Sequence, residues 1–270
     1  MRMTPAVKNL LILNILFFAA TFVFQRSLDI DLDQWLGLHY VTAKDFGVWQ
    51  LATFMFMHGN LSHIFFNMFA LWMFGTLIES SLGTRRFVAY YLICGVGSGI
   101  IQEVATAIDV APLIKAVDVT MSAPTLDNIQ AFINNNVVVF SSESREAVSQ
   151  FIRSYNDAVN TDPSGAAAIA LSFLPSYQDL YINAQVTVGA SGAVFGILLA
   201  FGMMFPNMRI MLMFPPIPMK AKWFVIIYGL VELFCGIHGG DYDNVAHWAH
   251  LGGMLFGFIM LRHWKVERLN

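Results

Sequence analysis

Residues 187 to 205 read TVGASGAVFGILLAFGMMF, and this stretch decides the fold because it contains no charged side chain. Its length matches the roughly 20 mainly apolar residues that a helix needs to cross the hydrocarbon core of a bilayer. Lipid offers no partners for backbone N–H and C=O groups, so a single apolar segment crosses as a helix that pairs them internally. The sequence therefore predicts a transmembrane helix here.

Five further stretches share this apolar character, so the sequence predicts six transmembrane helices. The composition agrees, because 57% of the residues are hydrophobic, 12% are charged and the mean hydropathy is +0.60. Soluble domains contain about 45–50% apolar and about 25% charged residues. The predicted fold class is an all-α, polytopic membrane protein, a bundle of six transmembrane helices. Its spans are residues 7–25, 61–80, 87–107, 187–205, 221–239 and 246–263.

The charge and the cysteine content exclude other classes of protein. A formal net charge of −3 provides no basic surface for nucleic acid. Cys94 and Cys235 both lie inside apolar stretches and build no disulfide framework. The first span, 7–25, has the basic flank of a signal peptide, but QRS at 25–27 is a poor cleavage site. We therefore expect this span to be retained.

The distribution of Lys and Arg predicts which side of the membrane each loop faces. Cytoplasmic loops of membrane proteins are enriched in these two residues. With the N-terminus inside, ten Lys and Arg residues face the cytoplasm and five face outward. We therefore expect a multi-pass protein of a cell membrane, inner or plasma, with both termini in the cytoplasm.

The sequence predicts three parts, residues 1–107, 108–186 and 187–270, and two outer segments that differ in kind. The first outer loop, 26–60, contains the apolar stretch Trp49–Met57, which is too short to span and predicts an interfacial helix. Residues 108–186 are more polar than the rest and predict a soluble, helical, extracytoplasmic insertion. Transmembrane helices 1–3 would precede this insertion and helices 4–6 would follow it.

Two capping signals and one break predict three helices inside the insertion. Ser122 or Thr125 precedes apolar residues at helical spacing, and Ser141-Ser142 precedes a second such set. The sequence DPSG at 162–165 is a break before a third, more apolar helix.

The first candidate for chemistry is GASG at residues 189–192, at the outer end of the fourth span. Small neighbours leave the Ser191 hydroxyl sterically open, and a helix start directs unpaired N–H groups toward developing negative charge. The alternative is a packing face, because Gly192, Gly196 and Ala200 follow the spacing of close helix–helix contacts.

The second candidate is AHWAHLGG at 246–253, which opens the sixth span and places His247 and His250 on one helix face. Zinc is one interpretation, but zinc needs three or four ligands, and the sequence has no H-E-x-x-H motif. A base for a serine explains His250 more economically, since serine is a weak nucleophile until a base activates it. Glycines on the fourth and sixth spans would let Ser191 and His250 meet at hydrogen-bond distance.

The third candidate is His63 with Asn67, four residues apart on one face of the second span. Both can donate hydrogen bonds to a tetrahedral oxyanion, where one donor is worth about 2.7–4 kcal/mol. Interhelical hydrogen bonding, nearer ~0.6 kcal/mol per pair, is the alternative. For His58, just outside this span, we expect a structural or interfacial role.

Taken together, these residues resemble the rhomboid family of intramembrane serine proteases. The motifs, in chain order, are HIFFN at 63–67, Gly75-x-x-x-Glu79-x-x-x-Gly83 with Arg86, GASG at 189–192 and AHLGGMLFG at 249–257. The resemblance covers roughly residues 40–106 and 186–262 and leaves out the insertion.

The resemblance implies hydrolysis of peptide bonds in or near the transmembrane segments of substrate proteins. It implies a Ser–His dyad without aspartate, in which Ser191 is the nucleophile and His250 is the general base and then the acid. The oxyanion hole resembles one built from the Ser191 backbone N–H, His63 and Asn67. The implied partners are transmembrane protein substrates and membrane lipids, with no nucleic acid, cofactor or metal, and His247 is assigned to packing or hydrogen bonding.

The resemblance also implies supporting residues and shows departures from the family pattern. Phe195 stands where several members have a tyrosine under the histidine, so the stacking surface is kept and the hydroxyl is lost. Trp49-Gln50 stands where many prokaryotic members have Trp-Arg, and the insertion stands where members usually have a short loop. We expect the insertion to lie beside the substrate entrance or over the site, where it restricts or recruits substrates. The supporting residues are Gly189, Gly192, Phe195, Gly253, Gly257, Glu79 and Arg86.

Three other functions are weighed as alternatives. A catalytically inactive relative that binds transmembrane clients would typically lack the serine or the histidine. An aspartyl intramembrane protease is suggested by Asp241 and Asp243, but the G-x-G-D pattern fails because residue 238 is His. A transporter would show an inverted repeat or paired broken helices, and none is apparent.

Overall fold

The computed structural model describes residues 2–211, 218–239 and 245–269, so Asp241 and Asp243 lie outside the described residues. The described chain is mostly helical, as predicted. The helices are α1 Pro5–Leu28, α2 Leu32–Leu36, α3 Gln50–Thr53, α4 Leu61–Ala70, α5 Thr76–Leu82, α6 Thr84–Ser122, α7 Leu126–Asn136, α8 Ser142–Val159, α9 Pro163–Asn183, α10 Ser191–Met204, α11 Ala221–His238 and α12 His247–His263, with a 3₁₀ turn at Phe54–Phe56 and a π-helical segment at Leu71–Gly75. The strands are β1 Leu38–His39, β2 Val186–Thr187, β3 Arg209–Met211 and β4 Pro218–Lys220, and β3 pairs with β4 antiparallel.

Four helical segments within the described residues are long and apolar enough to cross a membrane, judged by length and composition. Two of the predicted spans correspond to shorter helices, because α10 has 14 residues and α12 has 17. At 1.5 Å per residue these helices are about 21 and 26 Å long. The membrane-length segments are Pro5–Leu28, Leu61–Leu82, which joins α4 to α5, Thr84–Ser122 and Ala221–His238.

The third predicted span, 87–107, is the first part of a longer helix. α6 continues without interruption through Pro112 to Ser122, a length of 39 residues, or about 58 Å. Polar residues after position 107 suggested an end to the apolar span, but Val110, Leu113 and Val117 continue the helical spacing and are buried. The buried face holds the helix together beyond the expected boundary.

The chain divides into two compact units. The first unit comprises Met1–Leu38, Gly47–Glu103 and Thr187–Asn270, and the second comprises His39–Phe46 and Val104–Val186. Ser191, His250, His63 and Asn67 all belong to the first unit.

The second unit contains the three helices predicted from the two capping signals and the break. The side chains of Thr125, Ser141 and Asp162 each accept a hydrogen bond from the backbone N–H three residues later, at 3.0–3.2 Å. They begin α7, α8 and α9 because they satisfy N–H groups that a helix start leaves unpaired. The core between α8 and α9 includes Phe151 stacked on Phe173, with ring centroids 3.9 Å apart.

In the first unit, the carboxylate of Glu79 holds the start of α1. Its two oxygens accept hydrogen bonds from the backbone N–H groups of Ala6 at 3.0 Å and Val7 at 2.9 Å. The Thr84 hydroxyl donates a third hydrogen bond at 2.8 Å. A negative charge is favourable at a helix N-terminus, so Glu79 fastens α1 to the junction between α5 and α6.

Candidate active site

Ser191 is the first residue of α10, and the residues before it keep its surroundings open. Gly189 has a φ of +132°, which is a backbone conformation that favours glycine. A Cβ on Gly189 would lie 2.7 Å from the His63 ring, so a side chain there would also push against that ring. The Gly189 N–H donates to the Phe54 carbonyl at 2.9 Å, which anchors the loop that leads into the serine.

His250 lies on α12, with its Nε2 atom 2.8 Å from the Ser191 Oγ atom. This distance is that of a hydrogen bond between a hydroxyl donor and an imidazole acceptor. The sequence predicted that these two side chains would meet, and the structure brings them together. The imidazole is buried, with 8% of the residue exposed.

Glycines allow α10 and α12 to approach closely. A Cβ on Gly253 would collide with the backbone carbonyl of Gly192, and one on Gly257 would collide with the Tyr90 hydroxyl. That hydroxyl donates to the Gly196 carbonyl at 2.7 Å. The two helix backbones are therefore in contact along their glycine faces, which carries the serine and the histidine toward each other.

Phe195 lies flat against the His250 ring. The ring centroids are 4.1 Å apart and the planes differ by 6°. Tyr228 of α11 stacks on the opposite side of Phe195, with centroids 5.1 Å apart. The stacking surface expected at Phe195 is present, and it confines the imidazole to one plane.

Glu232 of α11 reaches the same histidine and was not among the candidates from sequence. Its Oε2 atom lies 2.8 Å from His250 Nδ1 and 2.6 Å from His247 Nδ1, so one oxygen accepts from both imidazoles. The residue is 5% exposed. The available signal was its position, since an ionisable residue inside an apolar span is a candidate functional residue by default.

Glu232, His247 and His250 are also the residues that could hold a metal ion. Their potential ligand atoms lie within 4.8 Å of one another. Ligands about 2.0–2.1 Å from a tetrahedral zinc ion are roughly 3.3 Å apart, whereas the N···O distances here are 2.6 and 2.8 Å. His247 and His250 both hydrogen-bond to Glu232 here, and hydrogen bonding was one of the two roles expected for His247, the other being packing.

His63 and Asn67 lie on α4, which starts where the Asn60 side chain accepts from the His63 backbone N–H at 2.8 Å. The ring of His63 lies beside Gly189, two residues before the nucleophile candidate. Asn67 is 7% exposed, and its Nδ2 atom has no hydrogen-bond acceptor within the part of the chain that the structure describes. A buried amide donor without an acceptor is uncommon and calls for an explanation.

His58 packs beneath His63, with ring centroids 5.0 Å apart in an edge-to-face arrangement. It is 1% exposed. Burial, reinforced by the neighbouring His63, lowers the pKa of His58 from its usual 6.5 to about 4. His58 is therefore neutral at physiological pH.

Arg86 is, with Glu79, a supporting residue of the motif Gly75-x-x-x-Glu79-x-x-x-Gly83. Its guanidinium lies over the Trp264 ring, 5.8 Å from the centroid, just after the end of α12. Cation–π contacts of this kind contribute about 0.5–1 kcal/mol at exposed sites. Arg86 thus contacts the end of the helix that carries His250.

The profile of the Rhomboid domain matches residues 45–111 and 163–263, more than half of the chain. The match resumes at 163 and not near 186 as the sequence suggested, so it includes α9 and leaves out α7 and α8.

Curated relatives with similar sequences are each named rhomboid protease GlpG. Those from Salmonella newport (strain SL254), Salmonella heidelberg (strain SL476) and Salmonella typhi are 33% identical over 69 residues. The alignment covers 26% of this chain and 25% of each relative, so the chain spans about a quarter of the length of these proteins. On the strength of the domain match, and with the expected serine and histidine inside it, this mostly helical multi-pass membrane protein belongs to the rhomboid family.

Proposed function

We propose that the protein is an intramembrane serine endopeptidase that hydrolyses peptide bonds in or near the transmembrane segments of membrane proteins. The observation that carries this proposal is the 2.8 Å separation of His250 Nε2 and Ser191 Oγ. Family membership supports it, as do the names of the curated relatives. A serine hydroxyl hydrogen-bonded to an imidazole is the arrangement that activates a weak nucleophile.

The proposed reaction proceeds through an acyl-enzyme. Ser191 Oγ forms a bond to the substrate carbonyl carbon while His250 Nε2 takes the hydroxyl proton. His250 then delivers that proton to the leaving amine, and the C–N bond breaks. Water, losing a proton to the same imidazole, attacks the acyl carbon, and the serine recovers its proton as the acid product leaves.

The proposed oxyanion hole consists of the Ser191 backbone N–H, His63 and Asn67. The first N–H groups of a helix have no intrahelical acceptor, so that of Ser191 is available at the start of α10. The unpaired Nδ2 of Asn67 and the position of the His63 ring beside Gly189 support the assignment. Donors held in place before the reaction stabilise the developing charge without reorganising.

We further propose the six-span arrangement, with α10 and α12 as the fourth and sixth spans, both termini in the cytoplasm and a site that opens outward. Residues 1–107 and 187–270 supply the spans, and 108–186 form an extracytoplasmic helical insertion that restricts or recruits substrates. The lengths and apolar composition of four helical segments support four of these spans, and α10 is apolar but shorter. The bias of Lys and Arg supports the orientation.

The proposal also constrains the substrate. The carbonyls of a transmembrane helix are already hydrogen-bonded within the helix, so a peptide bond has to leave the helix before Ser191 can attack it. Small or helix-breaking residues near the outer end of a substrate segment should therefore favour cleavage.

The test compares wild type, Ser191→Ala and His250→Ala in proteoliposomes that contain a single-span substrate. We expect both variants to lose cleavage while thermal unfolding stays close to that of wild type, because each loses one partner of the proton transfer. A chelator such as EDTA should leave the wild-type rate unchanged.

A serine-directed fluorophosphonate provides the second readout. Wild type should be labelled and Ser191→Ala should not be. Full cleavage by Ser191→Ala would refute the assignment of the nucleophile. A wild-type protein that neither cleaves nor labels, yet retains transmembrane clients, would favour a catalytically inactive, client-binding member of the family.

A further inference from the structure

The carboxylate of Glu232 lies behind the proposed dyad and is not required by a Ser–His mechanism. We infer that Glu232 is a positioning residue that makes the dyad a triad: it fixes the tautomer and the ring orientation of His250 and stabilises the imidazolium formed when Ser191 attacks. This inference rests on the hydrolytic function proposed above.

The hydrogen bonds of His250 define one tautomer. A carboxylate can only accept, so the 2.8 Å contact with Glu232 Oε2 places the imidazole proton on Nδ1. The other nitrogen, Nε2, then carries a lone pair directed at Ser191 Oγ, 2.8 Å away. This is the protonation state that a general base for serine requires.

Stacking on Phe195 cannot by itself select this state. The two planes differ by 6°, so Phe195 fixes the plane of the imidazole. A 180° rotation of the ring about the Cβ–Cγ bond, which exchanges Nδ1 with Cδ2 and Nε2 with Cε1, leaves the stack unchanged. Glu232 distinguishes the two orientations because it accepts a hydrogen bond on one edge only.

Burial strengthens the electrostatic effect of Glu232 on the charge of His250. The carboxylate is 5% exposed and the His250 residue 8% exposed, so water screens their interaction little. When His250 takes the serine proton, the positive charge forms next to this carboxylate. The groups that face Glu232 are His250 and His247 from α12 and Tyr228 from its own helix.

His247 holds the Glu232 carboxylate in place, as a positioning role for Glu232 requires. Its Nδ1 lies 2.6 Å from the same Oε2 atom that accepts from His250. A second donor from the neighbouring turn of α12 holds the Glu232 side chain against that helix. Glu232 thus has one partner that reaches the serine and one that does not.

The experiment compares Glu232→Gln, Glu232→Asp and Glu79→Gln with wild type, using the full chain in proteoliposomes. Glu79→Gln is the matched control, because it is the same change at a buried carboxylate that fastens helices together without contacting the imidazole. The readouts are kcat and KM on a single-span substrate, the rate of fluorophosphonate labelling and thermal unfolding.

We expect Glu232→Gln to lower kcat and the labelling rate by about 10²–10⁴-fold with KM almost unchanged. An amide in place of the orienting carboxylate of a Ser–His–Asp triad costs about 10⁴ in kcat because it admits the wrong tautomer. Glu232→Asp should recover part of the loss, since it restores the charge. Glu79→Gln should lower the unfolding temperature. Its kcat per active site, with active sites counted by labelling, should stay near that of wild type.

Wild-type kcat and a wild-type labelling rate in Glu232→Gln would overturn the inference. An equal loss in Glu79→Gln of kcat per active site, with active sites counted by labelling, would overturn it too. If Glu232→Gln does not fold, Glu232→Asp decides: kcat well below wild type at unchanged KM supports positioning, and wild-type kcat overturns it. These outcomes presuppose an active wild type. A wild type that neither cleaves nor labels overturns the proposed function instead.

Discussion

At the scale of single residues, replacing Asn67 distinguishes two interpretations of its side chain. It is either a donor to the oxyanion or a partner in an interhelical hydrogen bond. Its Nδ2 atom is buried and has no acceptor among the described residues, so this donor is free to bind an oxyanion. We expect Asn67→Ala to reduce kcat by about 10²–10³-fold, which is the effect of losing one oxyanion donor. Cleavage kinetics with a single-span substrate measure this change.

The stability of the same variant provides the control. If Asn67 acts only between helices, Asn67→Ala should lower the unfolding temperature and change kcat little. Unchanged kcat with reduced stability would contradict the oxyanion assignment. Ser191→Ala, which we expect to stay folded and to lose cleavage, sets the baseline for both measurements.

The contact between Ser191 and His250 was predictable from single residues, whereas a contact that depends on helix packing was not. Ser191 stands out because small residues flank it, and His250 because an imidazole is rare in an apolar span. Glu232 was missed, although a carboxylate within an apolar stretch is an equally strong signal. Its role depends on how α11 packs against α12, and the sequence gives no register for that contact.

At the scale of helices, the contact of Gly253 with the Gly192 carbonyl controls how closely α10 approaches α12. We expect Gly253→Ala to push these helices apart, because the added methyl meets backbone that cannot rotate away. Overpacking of this kind costs about 1–3 kcal/mol in stability. A displacement of 1 Å between reacting groups can cost about 100-fold in rate. Cleavage kinetics and thermal unfolding should therefore both change.

Gly229→Ala on α11 is the matched control for that variant. A Cβ there would lie 3.2 Å from the terminal methyl of Met254, a flexible side chain that can move. We expect cleavage and unfolding close to those of wild type. Equal defects in Gly229→Ala and Gly253→Ala would argue against a specific role for the α10–α12 contact.

Local signals predicted helices well where a cap is present and less well where a helix crosses a change in composition. Thr125, one of two cap candidates, and Ser141 begin helices as predicted, and Asp162, predicted only as part of a break, caps the third, because each satisfies a backbone donor. The full length of α6 was not predicted, since the sequence indicated a span at 87–107 and the helix continues beyond it with the buried Val110 and Leu113. Such burial depends on tertiary packing.

At the scale of the whole molecule, residues 112–162 distinguish this chain from the Rhomboid domain profile, which leaves them out. They contain α7 and α8. If the insertion restricts or recruits substrates, replacing 112–162 with a short Gly/Ser linker should change the relative cleavage rates of a panel of single-span substrates several-fold. The chemistry at Ser191 should remain, because the dyad belongs to the first unit.

Fluorophosphonate labelling is the control for this deletion. Labelling at the wild-type rate shows that the dyad is intact, so a changed substrate preference can be assigned to the missing residues. Unchanged rates across the whole panel would contradict a role in substrate selection.

The attachment of α1 to Glu79 has a consequence for biosynthesis. The donors Ala6 and Val7 are 73 and 72 residues away from their acceptor. A ribosome adds about 5–20 residues per second, so the carboxylate follows them by roughly 4–15 s. During that interval the first turn of α1 has to rely on headgroups, water or the insertion machinery to satisfy its amides. α1 can therefore form its hydrogen bonds with Glu79 only after α5 has been translated.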